Sequence, residues 1–303
     1  MPLISSARYY QLIVNLLSLL PLRRYAVATW LMSRSVARLT APVRAQRGRW
    51  VVVPNAPSSW VPAFGLKEPA VHYHLAACLR HADAFVDCGA NLGWYSFLAS
   101  RQPGVRSIIA VEPVARSSHY IELVRQINRL ERLQILRGCI ATSDGPTAFS
   151  FTSGSFSEHG HVAIDGQITH SVPGYTLETV LAQLDPALRS VCLKIDVEGY
   201  ERLALTSLHA RTMRERVGTA LVEVHLASFD DPSSELRAIC ALLAPVGELR
   251  FIISTPRIDP GYKRLLWHLS GRYPLHRLSI EAAVALVERH GLEEIFVLAR
   301  RKA

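Results

Sequence analysis

Four charged residues at the ends of two apolar runs are the first candidates for chemistry. Asp196 and Glu198 stand in Asp196-Val-Glu-Gly199, directly after Val191–Ile195, and Glu223 and His225 lie where Thr219–Val224 ends. Carboxylates there are costly to bury without partners, and polar neighbours or a cationic ligand would supply them. A carboxylate or imidazole so placed can take a proton from a hydroxyl held in reach. Asp196 and His225 are therefore the candidate bases, with Glu198 and Glu223 available to orient the base or bind substrate. Each acid is equally suited to capping the helix after its strand.

A second constellation is Phe85-Val-Asp-Cys-Gly-Ala-Asn-Leu-Gly93, a short apolar run, an acid and a turn holding Gly89 and Gly93. Helical residues Trp94–Ser100 follow, so the unit reads as strand, glycine loop and helix, which brings backbone close to a ligand. A plain turn and a dinucleotide fingerprint compete with that reading. The fingerprint needs G-x-G-x-x-G, whereas this loop is G-x-x-x-G with Asp87 two residues ahead of its first glycine. A phosphate gains nothing from that carboxylate, while a cationic, phosphate-free nucleoside such as S-adenosylmethionine would be suited by it. Glu112 ends the next apolar run, Ser107–Val111, 19 residues after Gly93. An acid at that point of a doubly wound sheet can take two ribose hydroxyls, or it can cap the next helix. Ala141–Asp144 closes a third run. Asp144 there stands near an adenine amino group or in an ordinary Ser-Asp-Gly turn.

These residues need a sheet to hold them, and the chain alternates accordingly. Strands are expected at Arg49–Val53, Ala84–Asp87, Ser107–Val111, Leu133–Ile140, Val191–Ile195, Thr219–Val224, Arg250–Ser254 and Ile295–Ala299. Helices are expected at Pro69–Arg80, Ser117–Arg129, Thr176–Leu184, Tyr200–Leu208, after Asp231-Pro232, and at Ser279–His290 up to Gly291. A hairpin excursion occupies residues 146–175 and an insertion residues 255–278, where Tyr262, Trp267 and Tyr273 either line an acceptor pocket or pack. Repeated alternation predicts a mostly parallel, doubly wound α/β sheet covered on both faces. Ligands would then sit outside the carboxyl ends of its strands.

Composition narrows the partners. The chain has 303 residues, 49% hydrophobic, and a net charge of +9. Nine of its 34 basic residues fall in residues 1–67, which hold no acid, and the remaining 25 match the 25 acids. The globular part, residues 68–303, therefore offers no electrostatic case for nucleic acid. Leu12–Leu20 is apolar but stops at Pro21, short of the roughly 20 residues that span a bilayer. A helix there could lie on anionic lipid with its arginines on head groups, pack on the rest of the chain, or belong to a targeting segment. Cys78, Cys88, Cys139, Cys192 and Cys240 are widely spaced and read as buried free thiols in a reducing compartment. His72 and His74 do not share a helical face and read as surface or lid residues. His159 and His161 sit in the excursion without a third ligand, so no metal site is expected.

Three motifs in order, Phe85–Gly93, Val111-Glu-Pro113 and Leu193-Lys-Ile-Asp-Val-Glu-Gly-Tyr-Glu201, resemble the FkbM-type S-adenosylmethionine-dependent methyltransferases, as do Val222-Glu-Val-His225 and Thr176-Leu-Glu178. The resemblance covers about residues 80–225. It implies a class I, Rossmann-like methyltransferase sheet of seven strands with the last one reversed, and an N-terminal helical extension lies outside it. It also implies cofactor contacts at Asp87, Gly89, Ala90, Asn91, Gly93 and Glu112, with Pro113, Ala141 and Asp144 beside them. The expected activity is O-methylation of a small-molecule, sugar or lipid-linked hydroxyl, in the cytoplasm or peripheral to a membrane. A nicotinamide-dependent oxidoreductase and a non-catalytic membrane or partner adaptor on the same fold are the alternatives.

Overall fold

The computed structural model describes residues 42–44, 50–52, 68–151, 160–162, 170–253 and 273–301. Two short strands, β1 (Pro42–Arg44) and β2 (Trp50–Val52), pair antiparallel, and β2 lies beside a helix of the main body. That body opens with α1 (Pro69–Leu79), β3 (Ala84–Cys88), α2 (Trp94–Ala99), β4 (Ser107–Val111), α3 (Ala115–Ile127) and β5 (Leu133–Leu136). Next come β6 (Cys139–Ile140), β7 (Gly145–Phe151), β8 (Gly160–Val162), β9 (His170–Tyr175) and α4 (Leu177–Ala182). The remainder is β10 (Val191–Ile195), α5 (Glu201–Thr206), α6 (Ala210–Arg216), β11 (Val217–Val224), α7 (Pro232–Leu243), β12 (Glu248–Ile252), α8 (Ile280–His290) and β13 (Ile295–Arg300).

Seven strands form one sheet in the order β12-β13-β11-β10-β3-β4-β5. All pairings are parallel except those of β13, which runs antiparallel to both β11 and β12. The fold is therefore the class I methyltransferase sheet with its reversed strand inserted one place from the edge. Its centre is apolar on both faces because neighbouring residues point to opposite sides. Val86, Ile109, Leu193, Val222 and Val297 pack under α4, α5, α7 and α8, and Phe85, Ile108, Cys192, Leu221 and Leu298 under α1, α2 and α3. That two-sided burial is why these strands read as continuous apolar runs.

Local sequence explains the helix ends. Asp231 accepts from Ser234 N and precedes Pro232, and Ser279 and Thr176 likewise cap α8 and α4 with their side chains. Gly291 ends α8 in the left-handed region at φ 54°.

Two expectations need correction, and two features add to what the sequence shows. The strand read as Leu133–Ile140 breaks after Leu136, and its second part leaves the main sheet to pair parallel with β9. The residues read as a hairpin excursion do pair antiparallel, β7 with both β8 and β9, and β6 joins them in a four-stranded sheet. A helix unseen in the sequence, α6, follows α5; its Arg-rich surface hides all periodicity but Met213, its one buried residue. His74 is buried with its Nε2 3.1 Å from the Pro274 carbonyl, so it ties α1 to the last part of the insertion. All five cysteines are buried and free. Among the described residues, no helix is long and apolar enough to cross a membrane. The side chains of His159, His161, Tyr262 and Trp267, and residues 1–41, lie outside the described residues.

Candidate functional site

Parallel strands put their carboxyl ends on one edge, and that edge gathers the charged residues. β3 delivers Asp87, β4 delivers Glu112, β10 delivers Lys194 and Asp196, and β11 delivers Glu223 and His225. Lys194 and Asp87 are register partners on adjacent strands. The lysine ammonium, 2% exposed, donates to Asp196 Oδ2 at 2.8 Å and lies 3.9 Å from Asp87 Oδ1. Burial disfavours its charge, but Asp196, Asp87 and Glu223 outweigh that and hold it protonated above the ordinary lysine range. Asp87 is fully buried, and its Oδ2 accepts from Ser96 Oγ at 2.7 Å while its Oδ1 has no hydrogen-bond partner. Burial pushes its carboxyl up, against the pull of Lys194.

The glycine loop is built differently from a phosphate cradle. The N–H groups of Gly89 and Ala90 both donate to the Val111 carbonyl, at 3.0 Å each. Gly89 (φ 74°) is required because a Cβ there would lie 1.8 Å from the Asp196 carbonyl oxygen. Loop and β10 end are thus pressed together. Glu112 closes the far side: Oε2 accepts from Asn91 N at 2.7 Å and Oε1 from Val114 N at 2.9 Å. Burial raises its carboxyl to about 8, against the lowering by those two N–H groups. Pro113 is half-buried beside it.

His225 forms the other half of the site. Its Nδ1 lies 2.8 Å from Oε1 of Glu201, a carboxylate with no exposure that also accepts from Gly199 N at 2.9 Å. Nε2 faces Glu198 Oε2 at 3.4 Å, Asp196 Oδ1 at 3.8 Å and Glu223 Oε1 at 3.9 Å. Burial works against charge on the ring, but the Glu201 bond and the charges of Glu201, Asp196 and Glu198 win and push it up to about 9. Glu223 is driven well up by burial and then by Asp196. The structure thus brings Asp87, Glu112, Asp196, Glu198, Glu223 and His225 to one edge. Its carboxylates outnumber its two cations, Lys194 and His225, which suits a ligand that brings positive charge.

Ala141 and Asp144 make their hydrogen bonds to the start of α4 and the strand before it. Ala141 is buried and donates its N–H to the Tyr175 carbonyl. Asp144 is exposed, and its oxygens accept from Thr176 N at 2.8 Å and Thr179 Oγ1 at 2.6 Å, at the start of α4.

Sequence reasoning passed over Lys194 and Glu201. A lysine inside the apolar strand Val-Cys-Leu-Lys-Ile was a sign that a buried counter-charge must face it. Glu201 had no such sign, since an acid in the first turn of a helix is ordinary. Tyr95 and Glu68 were also missed; the tyrosine hydroxyl donates to Glu68 Oε2 at 2.7 Å, and its ring centre lies 5.1 Å from Lys194 Nζ.

The FkbM methyltransferase domain model matches residues 87–251, more than half of the chain. No curated protein matches. Among solved structures, precorrin-6y C5,15-methyltransferase from Geobacter metallireducens is similar at 12% identity and a TM-score of 0.40, covering 77% of this chain and 88% of its own. Geranyl diphosphate C-methyltransferase from Streptomyces coelicolor is similar at 14% and 0.41, covering 78% and 76%. An rRNA methylase from Streptococcus thermophilus is similar at 10% and 0.40, covering 78% and 99%. Scores of that size say nothing about the acceptor. The matched span contains Asp87, Glu112, Asp196, Glu223 and His225, and the nicotinamide reading gives way to it: the chain belongs to the FkbM methyltransferase family and is an S-adenosylmethionine-dependent enzyme.

Proposed function

We propose that this methyltransferase acts on oxygen, at a hydroxyl of a small molecule, sugar or lipid-linked acceptor. The observation that carries the proposal is the convergence of Asp196, Glu198, Glu223 and His225 beside the glycine loop. A hydroxyl, unlike an amine, must lose its proton to a nearby base as it is alkylated. When bound, S-adenosylmethionine would supply a sulfonium methyl group for transfer to the acceptor oxygen. The hydroxyl proton goes to Asp196, or to His225 once its ring has given up the proton that the surrounding carboxylates favour. Glu201 holds His225 by Nδ1, so that Nε2 is the ring atom facing the acceptor side. Asp87, Gly89, Ala90, Asn91, Gly93, Glu112 and Pro113 line the cofactor's side. The Oδ1 of Asp87, which accepts no hydrogen bond, and the surplus of carboxylates fit a cationic cofactor.

Glu112 offers a direct test of the cofactor's placement. Two of a carboxylate's four or so lone-pair positions are used, which leaves capacity for two ribose hydroxyls. Glu112→Ala should weaken S-adenosylhomocysteine binding by about 1.5 to 3 kcal/mol, as for lost charge-assisted hydrogen bonds, by calorimetry. Unchanged affinity would misplace the ribose. A pH dependence follows from the same group. Its folded pKa of about 8 exceeds the ordinary 4.5, so the folded empty protein keeps a proton that the unfolded chain has lost. Stability of the empty protein should therefore decline as pH climbs from about 4.5 to about 8. Affinity for S-adenosylhomocysteine should rise across the upper part of that window, and Glu112→Gln should flatten the rise.

The reaction itself is tested with methyl-13C cofactor and a panel of monosaccharides, polyphenols and lipid-linked sugars, with amines as controls. A labelled methoxy resonance is expected; label on nitrogen or carbon would overturn the oxygen reading. His225→Ala should lower kcat on the order of 100-fold while cofactor affinity holds within about twofold.

A further inference from the structure

We infer that Asp196, Glu198 and His225 form a binding site for one divalent metal ion at the acceptor side of the active site. The inference rests on the hydroxyl reading above and changes one part of it. The ion meets the charge on the acceptor oxygen, His225, Asp196 and Glu198 hold the ion, and Glu223, 3.9 Å from His225 Nε2 and with one oxygen unpartnered, is left as the proton's destination.

The donor set is of the right kind. One imidazole nitrogen and two carboxylate oxygens, Nε2, Oδ1 and Oε2, lie within 4.8 Å of one another. The separations from Nε2, 3.4 and 3.8 Å, exceed those of N–H···O hydrogen bonds, so the three groups converge as ion-pair neighbours, and a bound ion would take the place of the proton on Nε2. Donors on an ion at about 2.1 Å stand no more than about 4.2 Å apart, so the observed triangle needs to close only slightly. Asp196 points its other oxygen, Oδ2, at Lys194, which fixes the carboxylate with Oδ1 toward the cluster.

Two independent observations point to a ligand. Glu223, 6% exposed, brings Oε1 to 3.9 Å from His225 Nε2, and its Oε2 has no hydrogen-bond partner. A carboxylate so deeply buried beside other carboxylates is destabilising unless positive charge joins it. The second is Glu201, which holds His225 Nδ1 from a fully buried position. Metal-bound histidines are commonly fixed in this way, with a carboxylate on the far nitrogen setting tautomer and ring orientation. Imidazole with carboxylates suits Mn2+, Fe2+ or Zn2+ better than Ca2+, and three protein donors leave positions open for an acceptor oxygen. An ion there polarises the bound hydroxyl and lowers its pKa.

The experiment is a Mn2+ titration of the full chain in metal-free buffer, read by loss of the free-ion electron paramagnetic resonance signal. One saturable ion per chain is expected. Asp196→Asn, Glu198→Gln and His225→Asn should each weaken binding at least tenfold, and Glu201→Gln by about 10- to 100-fold. Glu281→Gln, on the exposed face of α8, should bind like the parent. Circular dichroism checks that each variant is folded, and the parent chain carries the test if one is not. No saturable binding at millimolar Mn2+, or equal binding in all the variants, overturns the inference. Methoxy product formed in excess chelator by a protein that binds no Mn2+ removes the ion and leaves the oxygen reading. Mn2+ bound as expected, with label on nitrogen or carbon, keeps the site and removes that reading.

Discussion

Gly89→Ala should destabilise the protein by about 3 to 5 kcal/mol and abolish measurable S-adenosylhomocysteine binding. The added Cβ would meet the Asp196 carbonyl oxygen at 1.8 Å, and a backbone oxygen at a strand end cannot step aside like a flexible side chain. The residue also sits at φ 74°, where any side chain adds strain. Relief requires the loop after β3 to part from the end of β10, which carries Asp87 away from Lys194 and Asp196 together. Urea melts and calorimetry measure both effects. Gly104→Ala is the control, since its Cβ would stand 3.4 Å from the nearest atom, and it should cost under about 1 kcal/mol. Equal behaviour of the two variants would show that loop and strand end are not in contact.

Lys194→Met should cost about 3 to 5 kcal/mol, the toll of breaking a buried ion pair from one side. Methionine fills much the same space, so the loss is of charge. Asp87, fully buried, and Asp196 would remain without their shared cation. The sign of the pH effect follows. The lysine's folded pKa lies above its ordinary 10.5, so its contribution is whole through the neutral range. In the variant the carboxylates can answer only by protonating, so the deficit should narrow as pH falls toward the Asp range. Chemical denaturation at pH 5 and pH 8 separates the cases: an equal deficit at both would mean that packing dominates, and Asp87→Asn in the same variant should then recover nothing.

Residue pattern made much of this legible. Strands buried on both faces show as unbroken apolar runs, so β3, β4 and β10 stood out, each followed by the acid that marks its carboxyl end. Asp231-Pro232 and Ser279 announced their helices because a cap and a proline act locally. What stayed hidden depends on distant contacts. Nothing near Leu136 says that the chain leaves one sheet for another, because the partner of Cys139 and Ile140 is β9, over thirty residues away. Gly89 looked like a residue freeing the backbone for a ligand, yet its neighbour across the gap is Asp196, more than a hundred positions on. The Glu201–His225 pair was out of reach for the same reason: each residue is unremarkable until the fold sets them 2.8 Å apart.

The placement of β13 has a consequence for synthesis. β12 has no partner in the large sheet but β13, and β11 pairs on that side with β13 alone. Until residues 295–300 leave the ribosome, β11 presents an open edge of Ala220, Leu221, Val222 and Val224, and β12 lacks its neighbour in the sheet. Such an edge is a template for pairing with another nascent chain. The large sheet therefore closes only once residues 295–300 have emerged, and a chaperone that shields that edge would raise the yield of folded enzyme more than one acting on the β3–β5 half.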